Sequence, residues 1–264
     1  MAQLMTSTGS IAYDELGAGL PIVMLPSGAH DRHDFDELRA RLSSRYRTIA
    51  IDWPAHGESP AHSVPPSAPA FADVAEEIVA QLAPQGAVVI GNSIGGFSAA
   101  RLAIRRPELV KALVVVDGGG FAGRPLYARV FCALMSKPRF LRAIYPAFSA
   151  RYMRVRTDAD RRARDTGVAT TRRSDGVAAV AGLWASFATP AHDLRADAHH
   201  IKAPALLVWG RRDPVIPARI GRAAAKAIPG ARLELLDTGH VPHTSDPDGF
   251  TAILVPFLEA TLAE

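Results

Sequence analysis

Apolar residues along this chain fall into two patterns. Short runs that are apolar at nearly every position recur from end to end: "PIVML" (21–25), "RTIAI" (47–51), "AVVI" (87–90), "ALVVV" (112–116), "ALLVW" (205–209) and "LELL" (233–236). Continuous runs of this length suit strands buried on both faces of a largely parallel sheet. Between the second and third lies "FADVAEEIVAQL", where Phe71, Val74, Ala75, Ile78, Val79 and Leu82 recur at helical spacing and turn Glu76 and Glu77 outward. That pattern predicts a crossover helix, and "ARIGRAAAKAI" after "ALLVW" predicts another.

The alternation of strand and helix fails between about Arg124 and Ala198. There "LYARVFCALM", "RFLRAIYPAF" and "GVAAVAGLWASF" all read as helices, so an α/β core is expected over 1–123 and 199–264, with a helical cap inserted at 124–198. "PAHSVPPSAPA" (60–70) is a proline-rich loop, and no internal repeat is visible.

Composition narrows the class. With 264 residues and 48% apolar content the chain can bury one substantial core. A formal charge of +4, with arginines interleaved among acids, gives no footprint for nucleic acid. Cys132 is the single cysteine, which excludes an internal disulfide and a thiolate metal site and makes a cytoplasmic address the expectation. "MAQLMTSTGSIAYDELGAG" carries no signal-peptide pattern, and no stretch has the length of a membrane span, so no membrane partner is expected. Metal-ligand spacing and nucleotide fingerprints are missing too, "DGGGF" (117–121) having the wrong spacing, and the expected cofactor list is empty.

The chemistry sits in "VVIGNSIGGFSAARLAI" (88–104). Gly91 and Gly95 flank Ser93 where a strand hands over to a helix, and a β-carbon at either glycine would obstruct the sharp turn that lifts the serine hydroxyl above the sheet edge. The amide of Ile94 would then face a developing oxyanion. A serine hydroxyl needs an imidazole to take its proton and a carboxylate to hold that imidazole. "GRRDPVIP" offers Asp213 after one strand and "DTGHVPH" offers His240 after the next. Each has a rival: Asp117, after "ALVVV", competes for the acid role, and His243 for the base role, although it lacks the preceding glycine.

These elements resemble the α/β-hydrolase superfamily over nearly the whole chain: "LPSGAHDRHDFDEL" at the oxyanion strand, "DWPAHGES" (52–59), "GNSIGG", "GRRDPVIP" and "GHVPHTSDP", in the family's order. The resemblance implies an α/β-hydrolase fold in which Ser93 is the nucleophile, His240 the general base and acid, and Asp213 its orienting carboxylate. Where most relatives carry His-Gly after the oxyanion strand, this chain has Pro26-Ser27 and then Gly28. Aligning "DFDEL" with the family's helix places Gly28 as the second backbone donor of the oxyanion hole. Ser27, His30 and Trp184 are the expected substrate contacts, while His56 and Asp52 are expected to brace loops. The arginines of 151–173 are expected to form a solvated helical face.

The reaction so implied is cleavage of a small carboxylic ester or lactone through an acyl-enzyme. Two alternatives stand beside it. "GNSxGG" also resembles the elbow of hydrolases that split carbon-carbon bonds in diketone-like compounds, though Val241 stands where those commonly have tryptophan. A slow ligand receptor on the same fold is the other, and the intact set of Ser93, Asp213 and His240 argues against it.

Overall fold

The computed structural model describes residues 1–262. A single eight-stranded sheet organises it, in the order β1-β2-β4-β3-β5-β6-β7-β8. The runs read from sequence form β3 (Pro21–Leu25), β4 (Arg47–Ile51), β5 (Ala87–Asn92), β6 (Val110–Val116), β7 (Ala205–Gly210) and β8 (Arg232–Leu236), all mutually parallel. Two further strands, β1 (Ala2–Met5) and β2 (Ser10–Leu16), extend one edge antiparallel. Periodicity missed them because strands at the partly exposed margin of a sheet carry polar residues such as Gln3, Asp14 and Glu15.

Both faces of the parallel strands are covered. Val23, Val89, Val115 and Leu207 pack beneath α2 (Ala68–Leu82), α3 (Ile94–Arg105) and α8 (Ala218–Ala227). Alternate residues Met24, Ile90, Val114 and Val208 pack on the other side against α1 (Asp36–Leu42) and α10 (Pro247–Leu262). Each such side chain, fully buried, contributes roughly 1.5–3 kcal/mol. That two-sided burial is why the strands read as unbroken apolar runs.

Between β6 and β7 the chain leaves the sheet as four helices, α4 (Leu126–Met135), α5 (Pro138–Met153), α6 (Asp158–Arg172) and α7 (Ser174–Phe187). Three of them match the helical patterns read from sequence. The fourth, α6, is the arginine-rich stretch: a capping box of Thr157 and Asp160 starts it, and Arg161, Arg162 and Arg164 pair with Asp158, Glu37 and Asp165 on its outer face. Register aligns the C-terminal ends of the sheet, with Leu25 beside Gly91, Asn92 beside Val116 and Gly210 beside Leu236. Residues that follow these ends therefore share one rim, beneath the inserted helices. A short α9 (Pro242–Ser245) leaves the rim after β8.

Candidate active site

Ser93 occupies the turn between β5 and α3 with φ 58° and ψ −111°, a left-handed backbone unusual for a residue with a β-carbon. The neighbouring glycines make the turn possible: a β-carbon on Gly91 would lie 2.1 Å from the Gly95 carbonyl oxygen, and one on Gly95 2.1 Å from that of Leu25. Backbone bonds lock the turn, the Ser93 amide donating to Val116 at 2.9 Å and its carbonyl accepting from Phe97 and Gly119 at 3.0 Å. The side-chain hydroxyl has no hydrogen-bond partner among the described residues and lines a cavity of about 560 Å³. Ile94, the first residue of α3, has an amide with no intrahelical acceptor, and it lines the same cavity beside Ser27 and Gly28.

His240 reaches this cavity from the loop after β8 and is almost fully buried. Its Nδ1 lies 2.6 Å from Asp213 Oδ2, and the Asp213 side chain is wholly buried. The other oxygen, Oδ1, accepts the amides of Val215 and Ile216 at 2.7 and 3.2 Å. Three N–H donors on one carboxylate favour its charged form, which fixes Nδ1–H on the ring and leaves Nε2 free to accept a proton.

Two residues that sequence reasoning passed over hold the imidazole. Asn92 donates from Nδ2 to the carbonyls of His240 and Val116 at 2.9 and 3.0 Å, tying β5 to the histidine loop. Its signal was visible: a fully buried polar residue ends an apolar strand directly before the serine. Tyr152 of α5 accepts the His240 amide on its carbonyl at 3.0 Å and sets its ring edge-on to the imidazole, with centroids 5.4 Å apart. No local signal pointed to Tyr152, because the pair exists only once the inserted helices fold onto the sheet.

The rival histidine takes another position. His243 is stacked on Phe35 with ring centroids 4.5 Å apart, and both of its ring nitrogens are buried without partners. Burial, with the nearby His30 and His240, pushes it down to about 4. In the unfolded chain the ring titrates at its ordinary value near 6.5, so its contribution to stability is present above about 6.5 and is lost as pH falls towards 4. His243→Phe is therefore expected to keep activity and to gain stability relative to the parent by at most about 1.4 kcal/mol for each pH unit below 6.5. Urea midpoints of both proteins at pH 7 and pH 5 check this. Equal losses in the two would overturn the assignment.

His30 corrects an expectation. Rather than facing substrate, it is fully buried outside the cavity wall, with Nδ1 2.7 Å from Asp34 Oδ2 and Nε2 2.6 Å from the Tyr152 hydroxyl. Burial disfavours its charged form, yet the Asp34 carboxylate, by charge and hydrogen bond, with Asp31 adding, holds the ring above its ordinary value. Ser27 and Trp184 do line the cavity. His56 accepts the Ala29 amide at 2.9 Å and donates to Pro54, bracing the oxyanion-side loop. Asp52 gathers the Arg32 amide, its guanidinium and the Glu58 amide beneath the same loop.

The fold and this arrangement define an α/β hydrolase: a serine on a strained strand-to-helix turn, a histidine with a buried carboxylate, and backbone amides at one rim. Comparison with known proteins agrees. The model of the alpha/beta hydrolase family matches residues 22–253, and the chain belongs to that family. Among its relatives, the pimeloyl-[acyl-carrier protein] methyl ester esterase of Neisseria meningitidis serogroup B is 32% identical over 249 residues, covering 88% of this chain and 90% of its own. The corresponding esterase of Chromobacterium violaceum is 29% identical, over 93% and 97% of the two chains. The enol-lactonase of Burkholderia xenovorans LB400 superposes with a TM-score of 0.84 at 25% identity, over 97% and 99% of the chains.

Proposed function

We propose that the protein hydrolyses a small carboxylic ester or lactone through an acyl-enzyme, with Ser93 as nucleophile, His240 as general base and acid, and Asp213 as the orienting carboxylate. One observation carries this reading: His240, held by a buried 2.6 Å contact to Asp213, lines the same cavity as the unpartnered hydroxyl of Ser93. Ser93 attacks the carbonyl carbon as its proton passes to His240 Nε2. The amides of Ile94 and Gly28 receive the oxyanion, His240 returns the proton to the departing alkoxide, and water activated by His240 then releases the acid. Losing one such donor typically costs 10²–10³ in turnover, roughly 2.7–4 kcal/mol.

The cavity supports an apolar acyl or alcohol portion, because Phe131, Phe148, Leu183, Trp184 and Phe187 line it. Arg124 and Arg151 also line it and add charged groups to a mostly apolar wall. The methyl ester esterase relatives favour the ester arm of this reading and the lactonase neighbour the lactone arm. Residues 124–198 act in this scheme as a cap over the rim, and the expected address is cytoplasmic; no helix among the described residues is long and apolar enough to cross a membrane.

A panel of methyl and aryl esters of short and medium acids, lactones and vinylogous diketones tests the proposal, alongside labelling by a fluorophosphonate probe. Hydrolysis of esters or lactones with the label on Ser93 is expected. A protein that neither takes the label nor turns over any of the panel above the buffer rate is a binder, and the reading is then wrong.

A further inference from the structure

The proposed reaction uses one carboxylate, yet a second lies beside it that the reaction does not consume. Asp117 follows the last residue of β6 with φ 41°, a backbone conformation rare for a residue with a β-carbon, and it is fully buried. An oxygen of Asp117, an oxygen of Asp213 and a ring nitrogen of His240 all lie within 4.8 Å of one another. Neither carboxylate is paired with an arginine or lysine among the described residues; the ionic partner of Asp213 is His240. Two carboxylates so placed in a dry site do not both ionise, and one keeps a proton.

The donor sets decide which one. Asp213 receives His240 Nδ1–H on one oxygen and the amides of Val215 and Ile216 on the other. Asp117 receives a single N–H, that of Gly210, shared between its two oxygens at 3.1 Å each. Three donors against one put the charge on Asp213 and the proton on Asp117. We propose that Asp117 is a positioning residue whose neutral carboxyl donates its O–H to Asp213, so that the acid of the site is a pair of carboxyls sharing one proton. The inference rests on the reading of Ser93, His240 and Asp213 given above. Burial, then the Asp213 charge and a hydrogen bond to Asp213, act together to raise Asp117 well above the ordinary carboxylate range.

The added donor has two consequences. It adds a further donor to the Asp213 carboxylate beside the imidazole, and it spreads a charge that would otherwise bear wholly on the imidazolium. A less tightly held imidazolium returns its proton to the leaving group more readily. The titratable groups facing the pair are few: His240 from the loop after β8, Tyr152 of α5 edge-on to that ring, and His243 of α9, which senses the His240 charge.

Asp117→Asn and Asp117→Ala separate the possibilities through the pH dependence of kcat/KM on the best ester of the panel. Asparagine keeps an N–H for Asp213 and a carbonyl for the Gly210 amide, and it is expected to leave the acid limb within about 0.2 unit of the parent's. Alanine removes the donor, concentrates the charge on Asp213, and is expected to raise the limb by about 0.5–1 unit, a three- to tenfold loss of rate on the acid side. A limb that falls in both variants means that a negative charge was removed and Asp117 was ionised, which overturns the proposal. A limb unmoved in both, with only melting temperature lowered, also overturns it.

Should the alanine protein fail to fold, the infrared spectrum of the parent at about pH 8 still decides. A protonated-carboxyl band that disappears in Asp117→Asn is expected, and its absence from the parent sinks the idea. That measurement needs no turnover, whereas phosphonate labelling of Ser93 in the parent reports on the underlying reading, so the two can fail separately.

Discussion

Ser93→Ala is expected to lower kcat on the best ester by about 10⁴-fold or more while leaving folding and KM nearly as they were. The side chain bonds nothing among the described residues, so its removal strands no buried partner. The structural work at this position is done by the backbone, through Val116, Phe97 and Gly119. Alanine also has a β-carbon and meets the same left-handed backbone that serine tolerates. What vanishes is the attacking oxygen alone. The residual rate comes from the amides of Ile94 and Gly28 acting on substrate attacked directly by water. Progress curves with purified parent and variant, together with melting temperatures and probe labelling, check this. A variant that keeps more than about a tenth of the parent's turnover would remove Ser93 from the chemistry.

His240→Ala is expected to fall by a similar factor, and the double variant Ser93→Ala/His240→Ala to be no slower than either single one, because groups that act as a unit lose their effect together. The protein should tolerate this change less well than the serine substitution. Without the ring, Asp213 keeps its two amide donors but loses its charge-assisted partner at 2.6 Å inside a buried site. A drop in melting temperature should therefore accompany the loss of rate, and phosphonate labelling of Ser93 should slow in parallel. Additive losses in the double variant would instead mean that the two residues serve separate steps. Set against His243→Phe, which is expected to keep its activity, the comparison would assign the base to one of two histidines only three positions apart.

Much of this site was legible because parallel α/β architecture ties chemistry to chain position. An unbroken apolar run marks a strand buried on both faces, and whatever follows its C-terminal end lies at the rim, which singles out Ser93, Asp213 and His240 in the sequence. Gly91 and Gly95 were informative for a related reason, since each stands where a β-carbon would strike a backbone oxygen at 2.1 Å. The antiparallel strands β1 and β2 left no comparable trace, as half-exposed strands mix polar with apolar residues.

His30 shows where reading stops. In sequence it is a histidine in a polar loop near the oxyanion strand, a natural neighbour for substrate. In the fold it is sealed between Asp34 and a tyrosine 122 positions away. Asp117 and Asp213 looked like competitors for one role, and only their packing places the two carboxyls side by side with unequal donor sets. The sequence by itself determined the α/β class, the order of the strands that carry the site, and the residues at their ends, because those depend on burial pattern and backbone sterics, which are local. The tertiary structure alone decided which side chains share hydrogen bonds across the rim and which face the cavity. It also decided which of two neighbouring carboxyls holds a proton, since those outcomes depend on donors and dielectric contributed by segments far apart along the chain.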